Sequence, residues 1–153
     1  MKKFLSYLAM AAVVAVVGFG CCACRQASKN KINKPLTETK WHLVKMMETD
    51  AEFDEGKFNI VFAPGESEKM GHISGVAACN HIIGGEFEVG EKGKLSVGQL
   101  GATRMACPEL ELEIKFFEIL RGTTHYEIDG DVLMLLRDGV LQATLQAVEE
   151  KQE

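Results

Sequence analysis

The strongest constraint on the fold is a succession of short segments separated by turn residues. Within these segments apolar residues tend to alternate with other residues, as they do in β-strands. The pairs Asp129-Gly130 and Asp138-Gly139 are typical of tight hairpins. Pro64-Gly65 and Gly84-Gly85 indicate two further turns. Segments of this length predict about eight β-strands rather than helices. The nine apolar segments, of which the one at Phe87 is very short, begin at Trp41, Phe58, Met70, Cys79, Phe87, Leu95, Tyr126, Val132 and Val140.

One segment between these strands has the pattern of a helix. Pro108 suits a first helical position, where its missing N–H is not needed, and Gly122 suits the end. Apolar residues recur here at spacings of three and four, which predicts a stripe buried against the sheet. The stripe consists of Leu110, Ile114, Phe117 and Leu120.

Together these elements predict a mainly β (α+β) fold, a small antiparallel β barrel or half-barrel of about eight strands packed on one helix. The chain has 153 residues, which is enough for one domain with its own core. We place that domain at residues 36–148 and a polar tail at residues 149–153.

The N-terminus has the composition of a secretory signal. Lys2-Lys3 precede an apolar run that breaks at Gly18-Phe19-Gly20. The cysteine that follows makes residues 1–20 resemble a bacterial lipoprotein signal, with Cys21 acylated and Cys24 as the second candidate. An uncleaved anchor needs roughly 20 apolar residues, more than this run supplies. An ordinary secretory signal is the other alternative.

Residues 21–35 are polar beyond the cysteines and predict a flexible tether between the acyl chains and the domain. The predicted location is the bacterial cell envelope, lipid-anchored and facing the periplasm, with the membrane as a partner through the acyl chains. The formal net charge is −5. An acidic domain argues against binding to nucleic acid.

Several motifs together resemble the META/HslJ family over residues 36–147. They are Trp41-His42-Leu43, Gly75-Val76-Ala77-Ala78-Cys79-Asn80, Gly85-Glu86-Phe87, Thr103-Arg104-Met105-Ala106-Cys107-Pro108 and Tyr126-Glu127-Ile128. The resemblance implies a compact antiparallel β fold packed on one helix, as carried by envelope proteins and lipoproteins. In some members it is associated with heat induction, antibiotic tolerance or motility. It brings no established catalytic residues.

The domain cysteines, Cys79 and Cys107, leave three alternatives open. Outside the cytoplasm such a pair is more often bridged than free, and a bridge over about 28 residues contributes about 3 kcal/mol. Two buried reduced thiols are a second possibility. In the third, Cys107 is a reactive thiol at the N-terminus of the predicted helix, with Cys79 as its resolving partner.

Other candidate sites are weaker. A metal could bind Cys79, Cys107 and His81, with His72, but Cys-x-His is not a usual zinc spacing, so we predict no metal and no cofactor. Asn80, Thr103 and Arg104 form a polar set that either shapes a turn or contacts a ligand at one end of the barrel; the turn is favoured.

We therefore predict a membrane-anchored envelope lipoprotein that is not an enzyme. Its domain binds a protein or an apolar ligand and contributes to envelope stress tolerance. The alternative is a thiol-dependent enzyme or redox sensor that uses Cys107 with Cys79.

Overall fold

This computed structural model describes residues 32–67 and 69–149. They form eight β-strands, one α-helix and one short 3₁₀ turn at Glu91–Gly93. The elements in chain order are β1 Lys40–Met46, β2 Phe58–Ser67, β3 Met70–Ala77, β4 Asn80–Val89, β5 Leu95–Val97, α1 Leu110–Gly122, β6 His125–Asp129, β7 Val132–Arg137 and β8 Val140–Ala147.

The strands form one antiparallel sheet in the order β5-β4-β3-β2-β1-β8-β7-β6. Its two edge strands, β5 and β6, approach each other through a bridge between Lys94 and His125. The sheet is therefore a nearly closed barrel, and the predicted fold class is confirmed. In the middle of the sheet β1 pairs with β8, where Trp41 lies opposite Ala147.

Large side chains fill the space inside the sheet. Trp41, Phe58, Phe62, Phe87 and Phe116 are all buried. Phe116 brings α1 into this core, because its ring meets Phe58 edge to face at 6.1 Å between centroids. Phe62 and Phe87 meet in the same way at 5.2 Å. Burial of each such side chain stabilises the fold by about 1.5–3 kcal/mol.

Two of the predicted turns lie inside strands instead. β4 runs through Gly84-Gly85, and its pairing with β3 is irregular at this point. Gly84 has φ +143°, a conformation that side-chain-bearing residues rarely adopt. β2 likewise continues through Pro64-Gly65 to Ser67, with a register shift after Pro64. These residues mark bulges, which bend a strand without ending it.

The predicted stripe on the helix is wrong in its orientation. Leu110 and Ile114 are 41% and 48% exposed, and of the predicted stripe only Leu120 is buried. The buried face consists of Glu113, Phe116, Ile119 and Leu120. The helix turns this face inward because Phe116 packs on Phe58 and Glu113 accepts a hydrogen bond from Asn80.

The predicted signal at residues 1–20, the acylated Cys21 or Cys24 and the tether up to residue 31 lie outside the described residues, as does the tail beyond residue 149. The end of the predicted tether contacts the domain at Gly130. Lys34 N–H donates to Gly130 O at 2.7 Å, and Gly130 N–H donates to Asn33 Oδ1 at 2.8 Å. Among the described residues, α1 is not long and apolar enough to cross a membrane.

Candidate functional site

Two regions combine polar side chains with a defined geometry, and the first is centred on a disulfide between Cys79 and Cys107. Cys79 lies in the turn between β3 and β4, and Cys107 precedes α1; their Cα atoms are 6.3 Å apart. We call Cys79, Asn80, Thr103, Cys107 and Glu113 the disulfide cluster. α1 begins at Leu110 with Glu109 as its N-cap. Cys107 therefore lies before the first turn of the helix, and the helix dipole is weak at its position.

Asn80 is the central hydrogen-bonding residue of the disulfide cluster and is 1% exposed. Its Nδ2 donates to Glu113 Oε2 at 2.8 Å and to Met105 O at 3.1 Å. Its Oδ1 accepts from Thr103 Oγ1 at 2.9 Å and from Met105 N–H at 2.7 Å. An amide side chain has two N–H donors and two acceptor lone pairs. Asn80 therefore has no hydrogen-bonding capacity left for a ligand.

Thr103 completes the attachment of the loop to the sheet. Its Oγ1 also accepts from the backbone N–H of His81 at 3.0 Å. Arg104 is exposed and is not part of this network. The structure thus brings together two of the three polar residues singled out from the sequence, and their hydrogen bonds hold the segment before α1 against β4.

Glu113 is the member of this cluster that sequence reasoning missed. Its side chain is 5% exposed, and a carboxylate oxygen lies within 4.8 Å of both sulfur atoms. His72 and His81, the predicted companions of the cysteines, are exposed and are not in this group. The available signal was spacing, since Glu113, Phe116 and Leu120 also recur at three and four residues.

An ion pair attaches the β1–β2 loop to the start of α1. Lys57 Nζ lies 2.6 Å from Glu109 Oε1. The hydrogen bond with Lys57, followed by a backbone hydrogen bond, lowers the pKa of Glu109. The same hydrogen bond and the negative charge of Glu109 raise the pKa of Lys57. Both side chains are at the surface, where such pairs contribute little to stability.

The second region is the gap between the edge strands, which we call the seam groove. Besides the bridge between Lys94 and His125, Leu95 N–H donates to Thr124 O at 3.0 Å. The groove has a volume of about 370 Å³. Its lining includes Glu88, Lys94, Ser96 and Thr123–His125. No sequence pattern indicates this groove, because its two walls come from segments that meet only when the barrel closes.

Comparison with known proteins gives one family and two structural relatives. The family model described as META domain matches residues 34–151. An NMR structure of a protein from Burkholderia xenovorans is 24% identical with a TM-score of 0.54, and the match covers 86% of this chain and 99% of that one. A crystal structure of a DUF4847 family protein from Bacteroides vulgatus ATCC 8482 is 17% identical with a TM-score of 0.50, covering 77% and 96%.

No curated protein matches this chain. Identities this low between the structures show a shared fold and carry no activity from one protein to another.

Proposed function

This chain belongs to the META domain family, and from that premise we propose that it is a bacterial envelope lipoprotein whose barrel binds a protein partner at the membrane surface. Acyl chains on Cys21 hold it there, and it catalyses no reaction. Its binding contributes to envelope stress tolerance, in keeping with the association of some family members.

The observation that carries this proposal is the combination of a filled barrel and an open seam. Trp41, Phe62 and Phe87 occupy the interior, which favours a partner on the outer surface over an acyl chain or another apolar ligand inside the barrel. Small-molecule sites in barrels need an internal cavity. A protein partner that contacts the outer surface needs none.

The seam groove is the part of that surface best suited to a partner. β5 and β6 are edge strands, and edge strands carry backbone groups that an extended segment of another chain can pair with. Glu88 and Lys94 place opposite charges beside the groove. A partner segment with both polar backbone groups and charged side chains would fit this lining.

Lipid attachment is tested by labelling cells with a fatty-acid analogue and analysing the membrane-extracted protein by mass spectrometry. Cys21→Ser should abolish the label and leave the leader uncleaved, whereas Cys24→Ser should leave both label and cleavage intact. Loss of the label in the Cys24 variant alone would show that the acyl chains are attached to Cys24. Label in neither parent nor variants would overturn the anchor.

Partner binding is tested with a photo-crosslinking amino acid in place of His125, in cells that carry the anchored protein. The matched control places it at Lys45, an exposed residue of β1 in the middle of the sheet. A discrete adduct at position 125 and none at position 45 supports the seam groove. Equal adducts at both positions, or none at either, would overturn it.

A redox sensor is the second candidate function, favoured by one observation. The two cysteines are only partly buried, and a buried carboxylate lies beside their sulfur atoms. Alkylation of the membrane-extracted protein without reduction, followed by digestion, separates the cases. A linked Cys79–Cys107 peptide under all growth conditions excludes the sensor; alkylated thiols that appear only under reductive stress support it.

A further inference from the structure

Three metal-ligating side chains converge from distant parts of the chain. Cys79 follows β3, Cys107 precedes α1, and Glu113 lies in the first turn of that helix. Their two Sγ atoms and one carboxylate oxygen all lie within 4.8 Å of one another. The two sulfurs are bonded to each other in this structure.

Burial of the Glu113 side chain at this position has a free-energy cost. A carboxylate loses its hydration on burial and is normally paired with a cation or a metal. Within the described residues the one ion pair joins Lys57 to Glu109, so no cation of that part of the chain neutralises Glu113. Its hydrogen-bond donor is the amide of Asn80, at 2.8 Å, which orients the carboxylate but brings no charge.

We propose that the reduced form of this protein binds one zinc-class divalent ion through Cys79, Cys107 and Glu113. Two thiolates and a carboxylate are ligands that zinc takes, at roughly 2.3 Å for sulfur and 2.0–2.2 Å for oxygen. Ligands held at these lengths around one ion lie closer together than the 4.8 Å that encloses the present group. Three protein ligands leave a fourth position for water.

Reduction of the Cys79–Cys107 disulfide to two thiols requires an added reductant. A phosphine donates two electrons to the disulfide and becomes a phosphine oxide; water supplies the oxygen atom and the two protons that the sulfurs take up. The S–S bond is thereby broken. The metal ion then displaces both thiol protons into solvent and forms two metal–sulfur bonds and one metal–oxygen bond.

Asn80 acts as a positioning residue for this site. Its Nδ2 binds both Glu113 and the backbone carbonyl of Met105, two residues before Cys107. A donor that binds a ligating carboxylate fixes its orientation and tunes its affinity for the metal. The amide therefore holds the helix ligand and the loop ligand in one arrangement before any ion arrives.

The test uses the full chain in detergent, with Cys21→Ser, Cys22→Ser and Cys24→Ser in every sample so that these thiols bind no metal. Zn²⁺ alone is titrated against a chromophoric chelator, with and without phosphine. We expect one ion per reduced chain and none per oxidised chain. Equal binding by both forms, or no binding by the reduced form, overturns the proposal.

The ligand set is tested with Glu113→Gln, which keeps an acceptor for Asn80 but removes the charge. We expect Zn²⁺ affinity to fall about tenfold or more. Glu111→Gln, an exposed carboxylate in the same helix, is the matched control and should not change affinity. Equal affinity in the Glu113 variant and the parent overturns the role of the carboxylate.

A spectrum keeps the proposal testable if the Glu113 variant fails to fold. Co²⁺ bound to the reduced parent should give a sulfur-to-metal charge-transfer band in the near ultraviolet with the intensity of two thiolates. Cys107→Ser should halve it. A band of one-thiolate intensity in the parent, or no such band, overturns the proposed site.

Discussion

The disulfide cluster and the seam groove are both places where polar side chains meet the barrel, yet they are built in opposite ways. In the cluster, a covalent bridge joins two segments and Asn80 uses every hydrogen bond that its amide can form. In the seam groove, two edge strands are held by the Lys94–His125 bridge beside an open cleft. The motif-rich region is therefore stabilised by its own covalent and hydrogen bonds, whereas the region without a motif leaves a cleft between two edge strands.

The largest effect expected from this comparison is that of Asn80→Ala. It leaves the buried carboxylate of Glu113 and both backbone groups of Met105 without their partner, and we expect a loss of about 4 kcal/mol. Urea denaturation of the oxidised protein measures it. His81→Ala, an adjacent exposed side chain, should change stability by less than about 0.5 kcal/mol. If Asn80→Ala loses no more stability than the control, the hydrogen bonds of Asn80 do not stabilise the disulfide cluster, and the contrast with the seam groove is wrong.

Removal of the bridge should have the next largest effect. Cys79→Ala combined with Cys107→Ala restores about 28 residues of loop freedom to the unfolded chain, which costs about 3 kcal/mol. The midpoint of thermal unfolding reports it. The parent in reductant should match the double variant, and reductant should not affect the variant further. A double variant as stable as the parent would show that the bridge contributes nothing to the cluster.

A smaller effect is expected where the seam is held together. Gly93 has φ +74°, and a Cβ there would lie 2.6 Å from the backbone oxygen of Tyr126 on β6. Gly93→Ala should therefore strain the backbone and push the edge strands apart, at a cost of about 2 kcal/mol. Hydrogen exchange of β5 and β6 amides should rise with it.

Gly139→Ala is the matched control for the seam. Gly139 has φ +80° but open space around the added atom, so only the backbone strain of about 1 kcal/mol remains. The difference between the two variants isolates the contact across the seam. If both variants lose the same stability, the seam is looser than the structure indicates.

The smallest effect belongs to the surface ion pair of Lys57 and Glu109. Because the pKa of Glu109 is lowered from about 4.5, the pair stabilises the fold above that pH and loses this contribution as pH falls through the lowered pKa. Glu109→Gln should lower the urea midpoint slightly at pH 7 and not at all at pH 2. Glu111→Gln should change neither. A larger loss at acid pH than at neutral pH would contradict this assignment.

Most of the barrel was predictable because apolar residues alternate along its strands. The turn signals, however, correspond to two different structures. Asp129-Gly130 and Asp138-Gly139 connect strands that pair with each other, and both form hairpins. Gly84-Gly85 looked like the same kind of signal. Both halves of β4 pair with β3 instead, so the glycines make a bulge. Local sequence specifies the backbone conformation at such a position, and the partner strand decides whether the chain reverses.

The residues of the disulfide cluster were also only partly predictable from the sequence. Asn80 and Thr103 were identified because their motifs are local, whereas Glu113 was not singled out. An acidic residue in a first turn is equally consistent with a charge that favours the helix dipole and with a buried hydrogen-bonding group until its partner is known. The helix stripe was misplaced for a related reason, since apolar residues at three- and four-residue spacing occur on two faces of α1, and packing against Phe58 selects one of them.

The pairing of β1 with β8 has a consequence for when the domain can fold. Trp41 near the start of the domain lies opposite Ala147 near its end, so the middle of the sheet cannot form until almost the whole chain is present. Contacts between such distant residues slow folding to milliseconds or longer in small β proteins. A chain that emerges N-terminus first from a ribosome therefore cannot close its barrel until its last strand is out.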